Sequence, residues 1–370
     1  MTLALLAVLA AAGQSFTEAR VLEARAAQAL PRQPGDAAWD KAAQKAFKVS
    51  AQRSVRLNDR EANALLDVPG AQWVTVRALA AGGELAVRLE WPDATVDRVR
   101  DDEVNLYADA VALETPQDFG AGKRLPYIGM GDEKAPVRLW QQKATQGGAQ
   151  AAAFVGMGFG SLTRAGPAPA AMDYDAAAKV WRAVFVIPRP PGALVPVAFA
   201  VWDGGRKERG GYKQLSGWSF LQLAGSSVDP KFLAEQSWGY GEGAVGNAEL
   251  GKVLAHAVCA VCHHFPGVKR VPPNLAPDMA DIGAIATPGY LRDSIVDPRT
   301  AVVHHLPLAR RYDKAGPRDP SGAYPPATSF AWAIHEDGGT TSRMPPFAGF
   351  SEAQVKDLVA YLMTLQGETK

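Results

Sequence analysis

Only two cysteines occur in the 370 residues, and both fall in one five-residue run, Cys259-Ala260-Val261-Cys262-His263. No other feature constrains the fold as much. With both thiols in one run, none is left for an iron-sulfur cluster or a four-ligand zinc site, and a disulfide between them would leave His263 unexplained. A thioredoxin-like C-x-x-C would want a strand before it. Here Leu250 to Val258 reads as a helix running into the motif, and Pro266-Gly267 breaks the chain behind it. C-x-x-C-H is the attachment signature of a c-type haem, in which both thiols bind the porphyrin and His263 ligates the iron. A sixth ligand is then required. Met344, in Arg343-Met344-Pro345-Pro346-Phe347, is the candidate, since a thioether opposite imidazole suits an iron that shuttles electrons. His256, His264, His304, His305 and His335 are the alternatives.

From about Asn247 to the C-terminus the chain resembles a class I cytochrome c. The resemblance rests on a first helix, the haem motif, Pro273-Asn274-Leu275-Ala276, the amphipathic Tyr290 to Ile295, the methionine loop and a last helix from Ser351 to Leu365. Ser351 with Gln354 forms a capping-box pattern, and Val355, Leu358, Val359 and Leu362 fall on one face. The resemblance implies that the last helix crosses the first. Leu306 to Ser342, rich in Pro and Gly, reads as an irregular flap on the methionine side.

A cytochrome of that size leaves room for a second domain of ordinary size. The net charge of +1, with acids and bases mixed, offers no basic footprint for nucleic acid and favours a redox protein as partner. Leu3 to Ala12 is apolar but too short to span a bilayer. Residues 1–15 read as an export signal or a short apolar N-terminus, with Ala10-Ala11-Ala12 as a cleavage region although the usual basic residues are missing. Haem c attachment also takes place outside the bacterial cytoplasm, so the expected location is the periplasm.

Residues 20–223 are written in a different period. Leu85, Val87, Leu89 and Trp91 alternate with Ala86, Arg88 and Glu90, the pattern of a strand with one buried face. Trp73 to Leu79 is its partner across Ala81-Gly82-Gly83, and Val104 to Leu113, Ala183 to Ile187 and Val195 to Trp202 repeat the signal. The expected fold class is a mainly β antiparallel sandwich followed, after a Gly-rich linker at 224–246, by an all-α cytochrome c domain at 247–370.

Several runs in the sandwich carry a second resemblance: Pro34-Gly35-Asp36 with Trp39-Asp40-Lys41-Ala42, Tyr107 to Leu113, Pro136 to Trp140, Ala198 to Gly204, Glu208 to Gly211 and Ser216-Gly217-Trp218. They are similar to the haem b (gamma) subunits of the type II DMSO reductase family, which includes ethylbenzene dehydrogenase, dimethylsulfide dehydrogenase, selenate, chlorate and perchlorate reductases, and nitrite oxidoreductase. This resemblance implies a non-covalent haem b held by methionine and lysine. By motif these are Met130, in Tyr127 to Asp132, and Lys213, in Gly211 to Ser216; Met157 and Lys207 are the alternatives. Glycines beside Met130 are expected to let the backbone approach the porphyrin. Lys213 must be a neutral amine to ligate iron, which burial favours.

The two resemblances together imply a dihaem electron-transfer subunit, not itself an enzyme. It would stand between the iron-sulfur and molybdenum catalytic subunits of a periplasmic oxidoreductase and a soluble or membrane-bound carrier, with the linker leaving the cytochrome free. Two other classes are distinguishable from it. A carbohydrate-binding sandwich fused to a cytochrome c would lack haem b, and a peroxidase would need an open sixth position, which Met344 would close.

Overall fold

The computed structural model describes residues 20–52, 73–100, 107–132, 134–158, 162–169, 171–229, 232, 246–268, 276–299, 333–336, 339–342 and 344–367, with backbone only over 333–341. The apolar start, most of the linker, Pro273 to Leu275, His304, His305, the His335 side chain and most of the flap lie outside the described residues. Among the described residues no helix is long and apolar enough to cross a membrane.

The strands are β1 (Val21–Ala26), β2 (Gln44–Lys48), β3 (Ser50–Ala51), β4 (Trp73–Ala81), β5 (Glu84–Pro92), β6 (Ala110–Pro116), β7 (Val137–Thr145) and β8 (Gly148–Gly156). They continue with β9 (Thr163–Pro167), β10 (Met172–Asp175), β11 (Val180–Pro188), β12 (Leu194–Trp202), β13 (Gln214–Leu215) and β14 (Ser219–Leu223). Eleven of them form one ladder in the order β10-β11-β5-β4-β1-β14-β12-β6-β7-β8-β9 that folds over on itself as two layers, with β2 paired to β4 and β13 paired to β12 and β3. Gly82 and Gly83, with φ of 55° and 85°, make the two-residue turn that sets the β4–β5 register, with Ala81 opposite Glu84. The interior takes alternate residues from both layers: Val74, Val76, Leu85, Val87, Leu89, Phe185 and Ile187 on one side, Val111, Leu113, Val195, Val197, Phe199 and Val201 on the other.

The sheet is not wholly antiparallel. β1 lies between β4 and β14 and runs parallel to both. Long connections to both neighbours permit this, since parallel pairing is excluded only for strands joined by tight turns.

The C-terminal part is helical: α1 (Ala248–Val258), α2 (Ile282–Ile285), α3 (Pro288–Val296) and α4 (Glu352–Thr364). Asn247 caps α1, its Oδ1 accepting from the amides of Glu249 and Leu250. The Ser351–Gln354 capping box is present on α4. α4 buries more than one face, because Ala360, Tyr361 and Met363 are buried along with Val355, Leu358, Val359 and Leu362. α1 crosses it at Gly251, where a Cβ would run into the Asp357 carbonyl. The flap is not irregular throughout: β15 (Ala333–Glu336) and β16 (Gly339–Ser342) pair at its end, where β-branched Ile334, Thr340 and Thr341 favour extended backbone.

The helical part is seated on the sandwich instead of hanging free. One apolar cluster runs from Trp218 and Phe220 into Ile282, Ile285, Leu291, Leu358 and Leu362. The partly buried Arg20 guanidinium donates to the carbonyls of Trp218 (3.1 Å) and Ala284 (3.3 Å), Lys48 Nζ donates to the Gln366 carbonyl, and the Tyr127 and Tyr290 rings meet at 5.5 Å. A linker of Gly and Ser suggested freedom, but the apolar surface on both sides of it is sufficient to hold the parts together.

Candidate functional site

α1 delivers the two cysteines. It ends in a 3-10 turn, Cys259–Val261, and the Cys259 carbonyl then accepts from the amides of Cys262 (3.1 Å) and His263 (2.9 Å). Three ligating groups are thereby held within one compact turn. Burial, with Cys262 adding to it, pushes the Cys259 thiol up to about 11, while Cys262 is exposed. The Pro277 carbonyl lies 2.8 Å from His263 Nδ1. A carbonyl can only accept, so Nδ1 carries the proton and Nε2 is left as a bare donor atom. Burial also lowers the His263 pKa, which keeps the ring neutral. Donor set and tautomer therefore fit a haem iron. Phe265, 1% exposed, stands edge-on to His263 and stacks on Tyr361 of α4.

Met344 is half-buried, its amide donating to Ser342 Oγ (3.1 Å). Its segment is fixed to α3 by the Phe347 amide, which donates to the Ile295 carbonyl at 3.0 Å. Of the alternative ligands, His256 Nε2 is 3.0 Å from the Tyr361 hydroxyl and His264 Nδ1 is 3.1 Å from Asp278 Oδ1.

The residues expected around a second haem lie about the outer face of β6, β12 and β7. Here Ala112 pairs with Ala200, Ala110 with Trp202, and Glu114 with Ala198 and Leu139. Four alanines make a flat floor between larger residues. At the Trp202 end stands Lys213, 4% exposed, its Nζ 5.5 Å from the Trp202 ring and 3.5 Å from the Gly210 carbonyl. Burial brings its pKa down to about 8, with Glu114 opposing the change. Glu114 is itself raised well above the usual carboxylate range by burial, and its Oε1 has no hydrogen-bond partner among the described residues. A buried lysine beside an orphaned carboxylate oxygen fits a site built for a ligand rather than a closed ion pair. Lys207, by contrast, is exposed.

Met130 is at the other end of this face, partly buried against the same apolar cluster. Its backbone is left-handed, φ 76°, which is rare outside glycine. Asp132 holds the loop there: Oδ1 accepts from Arg124 Nη2 (2.6 Å) and from the amides of Lys134 and Ala135, and Oδ2 from the Tyr127 amide (3.3 Å). Gly131, also at positive φ, uses its missing Cβ for close approach to Ala135 and Val137, a requirement of the local packing. Met157 is 42% exposed. The sequence offered no signal for Glu114, Asp132 or Pro277, whose roles depend on contacts made across the fold.

The cytochrome c family model matches residues 248–366, which implies a covalent haem c. Over 165 residues the chain is 29% identical to the chlorate reductase subunit gamma of Ideonella dechloratans, a match covering 41% of this chain and 65% of that protein. It is 26% identical over 245 residues to a protein of Haloferax mediterranei assigned as the haem subunit of a respiratory nitrate reductase, covering 62% of this chain and 83% of that one. Among solved structures, a family 9 carbohydrate-binding module from Caldicellulosiruptor kristjanssonii in complex with cellotriose aligns with 8% identity and a TM-score of 0.31, over 57% of this chain and 98% of that one. A likeness that slight carries no argument about ligand. The chain is a relative of the gamma haem subunits of the type II DMSO reductase family, with a cytochrome c domain at its C-terminus.

Proposed function

We propose that this chain is a dihaem electron-transfer subunit. It passes electrons between the iron-sulfur subunit of a periplasmic molybdenum oxidoreductase and an external carrier, and has no catalytic centre of its own. Haem c would be bonded to Cys259 and Cys262 with His263 and Met344 as iron ligands, and a non-covalent haem b would be held by Met130 and Lys213. The bound groups supply one-electron redox chemistry; a thioether and an amine, neither anionic, favour a fairly high potential at the second. The chain's residues do the rest. Pro277 fixes the His263 tautomer, Asp132 holds the Met130 loop, and burial lowers the Lys213 pKa to about 8, towards the neutral amine that ligation to iron requires. Residues 20–223 form the sandwich and 247–370 the cytochrome.

The observation that carries the second haem is the Lys213 amine, 4% exposed above an alanine floor. Lysine is almost never fully buried without a partner that repays its desolvation. The relatives' description as haem subunits supports the same reading. Protein purified from its host should yield one covalent and one extractable haem by acid-acetone extraction and pyridine haemochrome spectra. Covalent haem alone would end the assignment of haem b.

A further inference from the structure

One acidic cluster has no part in the proposed electron route. Asp93 follows β5, Asp109 precedes β6 and Asp203 follows β12, and one carboxylate oxygen from each lies within 4.8 Å of the others. Asp93 is 6% exposed and Asp109 0%. Asp109 accepts at both oxygens and keeps one lone pair on Oδ1: Oδ2 accepts from the Asp97 amide (2.7 Å) and Trp181 Nε1 (2.9 Å), and Oδ1 from the Gly204 amide (2.8 Å). Asp203 Oδ1 accepts from the Arg206 amide at 3.1 Å. Asp93 Oδ1 accepts from the amide and hydroxyl of Thr95 (2.9 and 3.2 Å), whereas its Oδ2 is buried with no hydrogen-bond partner among the described residues.

Carboxylates packed in this way repel one another, and Asp97 adds a further negative charge to all three. Arg206 offsets part of this repulsion at Asp203. Arg206 Nε reaches Glu208 at 3.2 Å, and the Arg98 guanidinium lies 5.6 Å over the Trp181 ring. Asp93 Oδ2 remains a buried carboxylate oxygen without a hydrogen-bond partner among the described residues, in a side chain packed against two further carboxylates, an arrangement that a bound cation would complete.

We propose that Asp93, Asp109 and Asp203 bind a calcium ion that ties the ends of β5, β6 and β12 together. Every candidate ligand is an oxygen, which excludes the softer metals that prefer imidazole or thiolate. The ligands come from three separate chain segments at irregular positions, which suits the flexible six- to eight-oxygen shell of calcium better than the strict octahedron of magnesium. β5 belongs to one layer of the sandwich and β6 and β12 to the other, so the ion bridges the layers at one edge.

The test uses the full-length haem-loaded protein. Metal content is measured by mass spectrometry as purified and after stripping with EGTA, followed by calorimetric titration with calcium and, separately, magnesium. The expected result is one calcium per chain and weaker binding of magnesium. At a calcium concentration a hundred-fold above Kd, Tm should rise by roughly 5 °C or more. Asp93→Asn and Asp203→Asn should each weaken calcium binding roughly ten-fold or more, and stripped Asp93→Asn, relieved of repulsion, should melt no lower than the stripped parent. Should one variant fail to fold, the other and the parent titration decide. A stripped parent that takes up no calcium overturns the site. So does calcium uptake retained undiminished by the folded variants.

Discussion

At the scale of single residues, Lys213 is the most informative group. Lys213→Ala should remove the extractable haem almost completely and leave the covalent haem unchanged; unaltered b-haem content would transfer the role to another residue. In the haem-depleted protein its folded pKa of about 8 lies below the 10.5 of the unfolded chain. Between those values the unfolded state binds more protons, so this group makes stability rise as pH rises from about 8 towards 10.5 and fall as pH is lowered through that window. Thermal melts of depleted protein across that range should show the rise, and Lys213→Met should flatten it. On the cytochrome, Met344→Ala should abolish the far-red sulfur-to-iron band of the oxidised protein and lower the potential; an intact band would reject Met344 as ligand. Cys259, Cys262 and His263 could be read from sequence because their spacing alone is diagnostic. Met130 and Lys213 could be named only by resemblance, since nothing local distinguishes a buried lysine from a solvated one. The orphaned oxygens of Glu114 and Asp93 have no sequence signal, because burial is a property of the assembled fold.

At the scale of elements, patterns with strict periods could be read and pairings across long distances could not. The β4–β5 hairpin followed from alternation on either side of Gly82-Gly83, and α4 from its capping box. β7 and β8 read poorly because Gln, Lys and Ala interrupt their alternation, and β1 because it is short and bordered on both sides by partners distant in sequence. The α1–α4 crossing makes a sharp prediction. Gly251→Val would push a side chain into the Asp357 backbone, and overpacking of this kind costs about 3 kcal/mol. Chemical denaturation should show the loss, while sandwich variants distant from the crossing should add independently to it. A Gly251→Val protein as stable as the parent would mean that the helices can separate without penalty.

At the scale of the whole molecule, the cytochrome is seated on the sandwich through Trp218, Ala284, Tyr127 and Tyr290 rather than tethered at a distance. Tagged full-length protein should therefore copurify from its host with an iron-sulfur and a molybdenum subunit. Cross-links to those subunits should come from the sandwich and not from Lys252 or Lys356 of the cytochrome. Cross-links mainly from the cytochrome lysines would reverse the proposed wiring. The strand that closes the ladder also sets a timetable. β1, made before either of its partners, has its place between β4 and β14, and Val21 meets Phe220 across roughly two hundred residues. The sheet stays open along that seam until β1 and β14 have paired, whereas α1 and the haem motif, which follow β14 in the chain, bring together residues close in sequence. Local contacts form early and distant ones late, so the C-x-x-C-H turn can mature while the sandwich is still incomplete, and the completed seam, through Trp218 and Phe220, then provides the floor on which the cytochrome comes to rest.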